Sequence, residues 1–138
     1  MFVDTSVWYA AADDDDSRTA AARGLLAAGE PLVTSDHVLV ETCLLVHRRL
    51  GLAAARKFWA AMRNGVARTE VVGPADLEAG WNVGLAFPDQ GFSIVDQTSF
   101  AVMERLGVHR AASFDAHFSV YRFGPRRDRA FTVVSAPT

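Results

Sequence analysis

Four acidic residues stand where acidic residues are expensive. Glu41 is the only charge in "VLVETCLLV". On a helix it shares a face with Val38 and Leu45, three and four residues away, so its carboxyl projects from an apolar stripe and needs a partner. Asp96 repeats the anomaly in "IVDQTSFAVMERL", on one face with Phe100 and Met103. Asp4 in "MFVDTSVW" and Asp115 in "AASFDAHF" each follow a short apolar run that reads as a strand. In parallel sheets the carboxyl ends of strands are where ligands bind, because loops and helix N-termini converge there.

Each residue also has a local reading. Asp4 can cap the following helix, Asp115 can serve a turn, Asp96 in a first helical turn favours the macrodipole, and Glu41 can pair with an arginine. If the four converge, their repulsion must be relieved by protonation or by a cation. An all-oxygen ligand set selects a hard cation, Mg²⁺ or Mn²⁺, held loosely with waters retained. Such an ion is a device for phosphoester hydrolysis. It lowers the pKa of bound water, polarises phosphorus and stabilises the leaving oxygen, so no protein nucleophile is required. Thr5 and Ser6, just after Asp4, can orient a ligand or a metal-bound water, or can simply belong to the first helical turn.

The elements that must position these groups alternate. Residues 1–4 read as a buried strand, followed by a helix over 6–12. The run Asp13 to Asp16 reads as a solvated loop, with Asp16 or Ser17 capping an Ala-rich helix that ends near Gly29. Residues 32–34 form a second strand, and Ser35 or Asp36 opens a helix to Leu50. Another helix spans 52–64 before Gly65. A strand over 68–72, a helix from Pro74 to about Phe87, a helix capped by Ser93 and closed at Gly107, and a last strand in "AFTVV" complete the pattern. Short strands alternating with helices predict one α/β domain over 1–138 with a mainly parallel central sheet.

Bulk composition narrows the class. At 138 residues, half of them apolar and 22% charged, the chain is long enough for a single core. Its net charge is −2, from 14 basic and 16 acidic residues. Any nucleic-acid contact must therefore come from a local patch. Cys43 is alone, which excludes an internal disulfide and a multi-cysteine metal site and reads as a core thiol. Neither a membrane-spanning run nor a signal peptide is evident, so a cytoplasmic location is expected.

For substrate contact the sequence offers "YRFGPRRDR", in which Arg122, Arg126, Arg127 and Arg129 interleave with Tyr121 and Phe123. Arginines grip phosphate and aromatics stack on bases, although a solvated loop is the plain alternative. Trp8, Trp59 and Trp81 read as core or dimer-interface residues. His37, His47, His109 and His117 could serve metal-independent cleavage, but nothing pairs them; His117, two residues from Asp115, is the one that bears watching.

"FVDTSVW", "VETCLL", "FSIVDQTSFAVM" and "ASFDAHF", in that order, span Phe2 to Phe118 and resemble the PIN-domain family, in particular its VapC-type toxins. The resemblance implies a three-layer α/β/α sandwich and an Mg²⁺- or Mn²⁺-dependent endoribonuclease, the toxin of a type II toxin-antitoxin pair. Its catalytic and metal-binding set carries over to Asp4, Glu41, Asp96 and Asp115, with Thr5, Ser6 and Ser113 in support. Ser113 stands where the family more often has threonine. Relatives imply a tRNA or rRNA target, a small antitoxin that inserts a segment into the site, a homodimer and a hetero-oligomer with the antitoxin. The rival readings are a phosphatase using Asp4 as nucleophile, which lacks the second Asp expected at Ser6, and a catalytically silent PIN-like module that binds RNA or protein. A purely structural reading, in which the four carboxylates are caps and ion-pair partners, also stands.

Overall fold

The structure, a computed structural model, describes residues 1–137. In chain order the elements are β1 (Phe2–Val3), α1 (Thr5–Ala12), α2 (Thr19–Ala27), β2 (Val33–Ser35), α3 (Asp36–Leu50), α4 (Leu52–Arg63) and β3 (Arg68–Glu70). They continue with α5 (Pro74–Ala86), α6 (Ile94–Leu106), β4 (Arg110–Ala112), α7 (His117–Val120), β5 (Arg122–Phe123), β6 (Arg129–Ala130) and β7 (Thr132–Val134). Five strands form one sheet in the order β3-β2-β1-β4-β7. Every pairing in it is parallel, with Phe2 opposite Val33 and Ala111, and Val3 opposite Ala112. Helices flank this sheet, as the α/β reading requires.

The strand order explains where a ligand can enter. From β1 the chain winds outward through β2 to β3, then returns to place β4 on the other side of β1 and β7 beyond it. The order thus reverses between β1 and β4, and loops diverge there to leave a crevice at the carboxyl ends of the two strands. Asp4 follows β1 and Ser113 follows β4, and the Asp4 N–H donates to the Ala112 carbonyl at 3.1 Å.

α6 crosses this region as the most enclosed helix, with Thr98 to Met103 all buried. Phe100 is fully buried, stacked on Tyr121 with ring centroids 4.3 Å apart and meeting Phe118 edge-on at 5.0 Å. Enclosing such a ring contributes about 1.5–3 kcal/mol and fixes the helix that carries Asp96. α5 lies close against α6 because Gly80 has no side chain; a Cβ there would stand 3.3 Å from Gln97 and Thr98 backbone atoms. At the far end Arg105 forks onto Asp76, Nε to Oδ1 at 2.9 Å and Nη2 to Oδ2 at 3.1 Å. Burial alone would raise the Asp76 carboxyl, but the Arg105 fork and the Gly73 N–H hold it below the ordinary carboxylate range.

The structure departs from the expected elements in particular places. α2 starts at Thr19 and its N-cap is Arg18, which makes no side-chain capping bond; Asp16 instead binds the Arg18 backbone N–H and guanidinium, so neither Asp16 nor Ser17 caps the helix. The arginine-rich loop contains an antiparallel pair, β5 with β6, that the sequence hid because each strand is only two residues long. Trp8 is buried as expected of a core residue, but Trp59 and Trp81 are 55% and 64% exposed and belong to no core. Cys43 is half-buried at the core's edge, and that burial pushes its thiol up.

Candidate active site

Asp4 is the N-cap residue of α1 by backbone position, yet its side chain accepts no capping bond. Both hydroxyls that reach it, Ser6 Oγ at 2.8 Å and Ser113 Oγ at 2.9 Å, donate to Oδ2. That arrangement leaves Oδ1 for another partner. Each hydroxyl is itself positioned by backbone. Ser6 accepts from the Phe114 N–H at 3.0 Å, and Ser113 accepts from the Asp115 N–H at 2.9 Å. Ser113 thereby links Asp4 directly to the turn that presents Asp115. Asp4 is only 5% exposed. Burial raises its pKa to about 6, the two serine hydroxyls oppose that rise, and the negative charge of Asp96 reinforces it.

Asp96 sits at the third position of α6, inside a capping box. Ser93 Oγ accepts from the Asp96 N–H at 3.0 Å, and Asp96 Oδ2 accepts from the Ser93 N–H at 3.1 Å. The box fixes the carboxylate at the helix start, where the dipole favours negative charge. The same Oδ2 lies 2.8 Å from His117 Nδ1. His117 also donates its backbone N–H to Asp115 Oδ1 at 2.9 Å. Asp96, Asp115 and His117 each present a ligand atom, and these atoms all lie within 4.8 Å of one another.

Glu41 occupies a different position. It is half-buried on α3 and lines a groove of about 590 Å³ with His37, Val40, Leu44 and Val95, the last being the neighbour of Asp96. Neither Glu41 nor Asp4 belongs to the 4.8 Å cluster. Asp4 joins that cluster through Ser113 and through the field of Asp96, whereas Glu41 is related to it only through the groove it shares with Val95. Thr5 is buried, and its Oγ1 has no hydrogen-bond partner among the described residues.

Of the residues expected to contact substrate, three are engaged within the fold. Arg122 Nη1 bonds the carbonyls of Ser119, Val120 and Tyr121. Arg127 donates to the Tyr121 hydroxyl at 2.8 Å, and Arg129 lies 4.6 Å over the Phe123 ring. Arg126 is exposed. A cationic residue the sequence did not single out lies nearer: Arg18 lines an open cleft with Asp115, Ser113 and Ser119, its guanidinium 4.8 Å over the Phe114 ring. Its place beside a run of four aspartates gave no signal of this.

The donor chemistry fits a hard divalent cation. The converging groups are carboxylate oxygens, one of them raised chiefly by burial and further by a like-charged neighbour, and a bound cation would offset that cost. His117 Nδ1 is committed to Asp96. Acidic side chains gathered at the reversal point of a parallel sheet, with a helix N-terminus aimed among them, define a hydrolase-like site of the kind found in PIN domains.

The PIN domain profile matches residues 1–124, and the chain belongs to the PIN-domain family. Within it the chain is a VapC-type nuclease. It is 42% identical over 125 residues to the 23S rRNA-specific endonuclease VapC20 of Mycobacterium tuberculosis, in both strain CDC 1551 / Oshkosh and strain ATCC 25618 / H37Rv, covering 89% of this chain and 95% of the relative. The crystal structure of Mycobacterium tuberculosis VapC20, described as a sarcin-ricin loop cleaving toxin, superposes with a TM-score of 0.78 at 41% identity, over 83% of this chain and 88% of that one.

Proposed function

We propose that this chain is an endoribonuclease toxin of a toxin-antitoxin pair that hydrolyses phosphodiester bonds in structured RNA with Mg²⁺ or Mn²⁺. The observation that carries the reading is the buried Asp4 carboxyl, held on Oδ2 by Ser6 and by the Ser113 hydroxyl that also accepts the Asp115 N–H, beside the gathered ligand atoms of Asp96, Asp115 and His117. Asp4, Asp96 and Asp115 hold the ion, and Glu41 completes the acidic set from the neighbouring groove. When bound, the ion supplies an activated water and charge neutralisation at phosphorus. The residues do the rest. Ser6 and Ser113 orient Asp4, and the capping box and His117 orient Asp96.

The likeness to VapC20 supports rRNA as the target class, with the sarcin-ricin loop of 23S rRNA as the first substrate to test. A homodimer and a small antitoxin belong to the same reading. Val40 and Leu44 of α3, Trp81 and Leu85 of α5 and Ile94 of α6 are exposed and supply apolar surface for such partners. No helix among the described residues is long and apolar enough to cross a membrane.

The test is direct. Purified protein is incubated with ribosomes or 23S rRNA, and new 5′ ends are mapped with Mg²⁺, with Mn²⁺ and with EDTA. A single cleavage that needs the metal and falls more than about 100-fold in Asp96→Asn is expected. Metal-independent cleavage, or an Asp96→Asn variant as active as the wild type, would remove the reading.

A further inference from the structure

Residues 42–69 contain Arg48, Arg49, Arg56, Lys57, Arg63 and Arg68 and not one Asp or Glu, in a chain whose net charge is −2. All six cations are exposed. This segment comprises most of α3, all of α4 and the start of β3. The helix dipole accounts for Arg48, Arg49 and Arg63, which lie in last turns, but not for Arg56 and Lys57 in the first half of α4. Arg49 lies over the Tyr9 ring, and Arg68 pairs with Glu70. Arg56 and Arg63 have no carboxylate within ion-pair distance among the described residues.

α4 divides cleanly into two faces. Ala55, Phe58 and Met62 are buried. Arg56, Trp59, Ala60 and Arg63, spaced at three, four and seven residues, share an exposed face beside the buried one and line one shallow cleft of about 450 Å³. Trp59, 55% exposed, is flanked along the helix by the two unpaired arginines. An exposed indole between guanidinium groups has the chemistry of a single-stranded nucleic-acid platform, in which the ring stacks on a base and the cations hold the phosphates either side. A second copy of the chain suits the face poorly, because a two-fold interface would set arginine against arginine.

From this juxtaposition we infer that the Arg56–Trp59–Arg63 face of α4 is an RNA-docking surface, separate from the cleavage site, that holds unpaired nucleotides of the substrate. The inference rests on the reading of the chain as a ribonuclease and adds where its RNA is gripped. It also moves the principal phosphate contacts away from the β5–β6 hairpin, whose arginines are largely occupied.

The experiment separates docking from cleavage. Binding of a fluorescein-labelled RNA stem-loop is measured by anisotropy in EDTA, where no metal-dependent cut occurs, across a range of salt. Paired replacement, Arg56→Ala with Arg63→Ala, is expected to weaken binding roughly 10-fold at low salt and to lower the log–log salt slope by about 1.5–2. Trp59→Ala should weaken binding at least about fivefold and abolish the tryptophan quenching seen on RNA addition. The three side chains are exposed, and circular dichroism melts confirm that each variant folds. Unchanged affinity and slope in both variants would overturn the inference. So would variants that lose binding of polyglutamate but keep that of RNA, since the face would then serve an acidic protein. Metal-dependent cleavage with unaltered docking sinks this inference alone, whereas docking that depends on the face without any cleavage sinks the nuclease reading alone.

Discussion

His117 Nδ1 lies 2.8 Å from Asp96 Oδ2, and the same residue's backbone N–H reaches Asp115 Oδ1 at 2.9 Å. One residue therefore bonds both the carboxylate on α6 and the carboxylate of the turn before α7. Its ring is held in turn by Phe92, which meets it edge-on at 5.2 Å. A neighbour that orients ligating carboxylates typically accounts for 10–100-fold in metal affinity.

His117→Ala should accordingly raise the Mn²⁺ dissociation constant by about 10-fold or more, measured by calorimetry without substrate, while the melting temperature hardly moves. His117→Asn, whose amide can donate from nearly the same place as Nδ1, should recover part of the loss. If alanine and asparagine bind metal equally well, His117 is not the positioning group.

Asp4 gives the apo protein a pH dependence of definite sign. Its carboxyl titrates near 3.8 when unfolded and at about 6 when folded. Below the lower value both states are protonated and Asp4 contributes nothing. Stability falls as pH rises through the window, and above about 6 the whole cost of the buried charge is present, of order 2–3 kcal/mol. In EDTA, Asp4→Asn should be more stable than the wild type at pH 7.5, and the difference should vanish toward pH 4. Denaturant midpoints across pH check this; a difference independent of pH would mean that the carboxyl is not raised.

What the sequence made legible follows from what each residue needs locally. Ser35 and Ser93 were readable as caps because a hydroxyl three residues before a helical N–H is enough, and both accept that bond. Asp4 and Asp115 were readable as strand-end carboxylates because two or three apolar residues before an Asp already fix its place. The extra bond that joins them, from Ser113 to Asp4, spans 109 residues and is set by β1 lying beside β4. No local pattern encodes that pairing. The β5–β6 hairpin stayed hidden for the opposite reason, since strands of two residues have no period to detect. For Trp59 and Trp81, read as core or dimer-interface residues, exposure removes the core alternative, which helical spacing among alanines and leucines could not do because it does not say which face the protein covers.

The Arg105–Asp76 fork predicts a stability effect remote from the crevice. Asp76 is buried while Arg105 is partly in water, so its removal strands a carboxylate that retains only the Gly73 N–H. Arg105→Ala should cost about 1–2 kcal/mol, less than a fully buried pair because solvent screens Arg105. The Asp76 carboxyl is held low, so this stabilisation is complete above the ordinary carboxylate value and is lost on acidification. The gap between wild type and variant should therefore narrow below about pH 4. A gap that widens in acid would mean that the fork does not act through the ionised carboxylate.

Ser113 offers the closest test of how the acidic set is tuned. Its hydroxyl donates to Asp4 Oδ2 and accepts the Asp115 N–H, so one atom serves two carboxyl-bearing residues. The bond to Asp4 opposes the rise caused by burial. Ser113→Ala removes it, and the Asp4 carboxyl should then hold its proton to higher pH. If Asp4 must be ionised to bind the metal, the acid limb of the pH–rate profile for RNA cleavage moves upward in this variant, and activity recovers in part at alkaline pH. Ser113→Thr keeps the hydroxyl and should leave the limb where it is, at the cost of fitting one methyl into a buried site. An alanine variant that loses activity equally at every pH would show that Ser113 only holds the turn before Asp115. A limb that moves for alanine and stays for threonine would assign the shift to the hydroxyl itself.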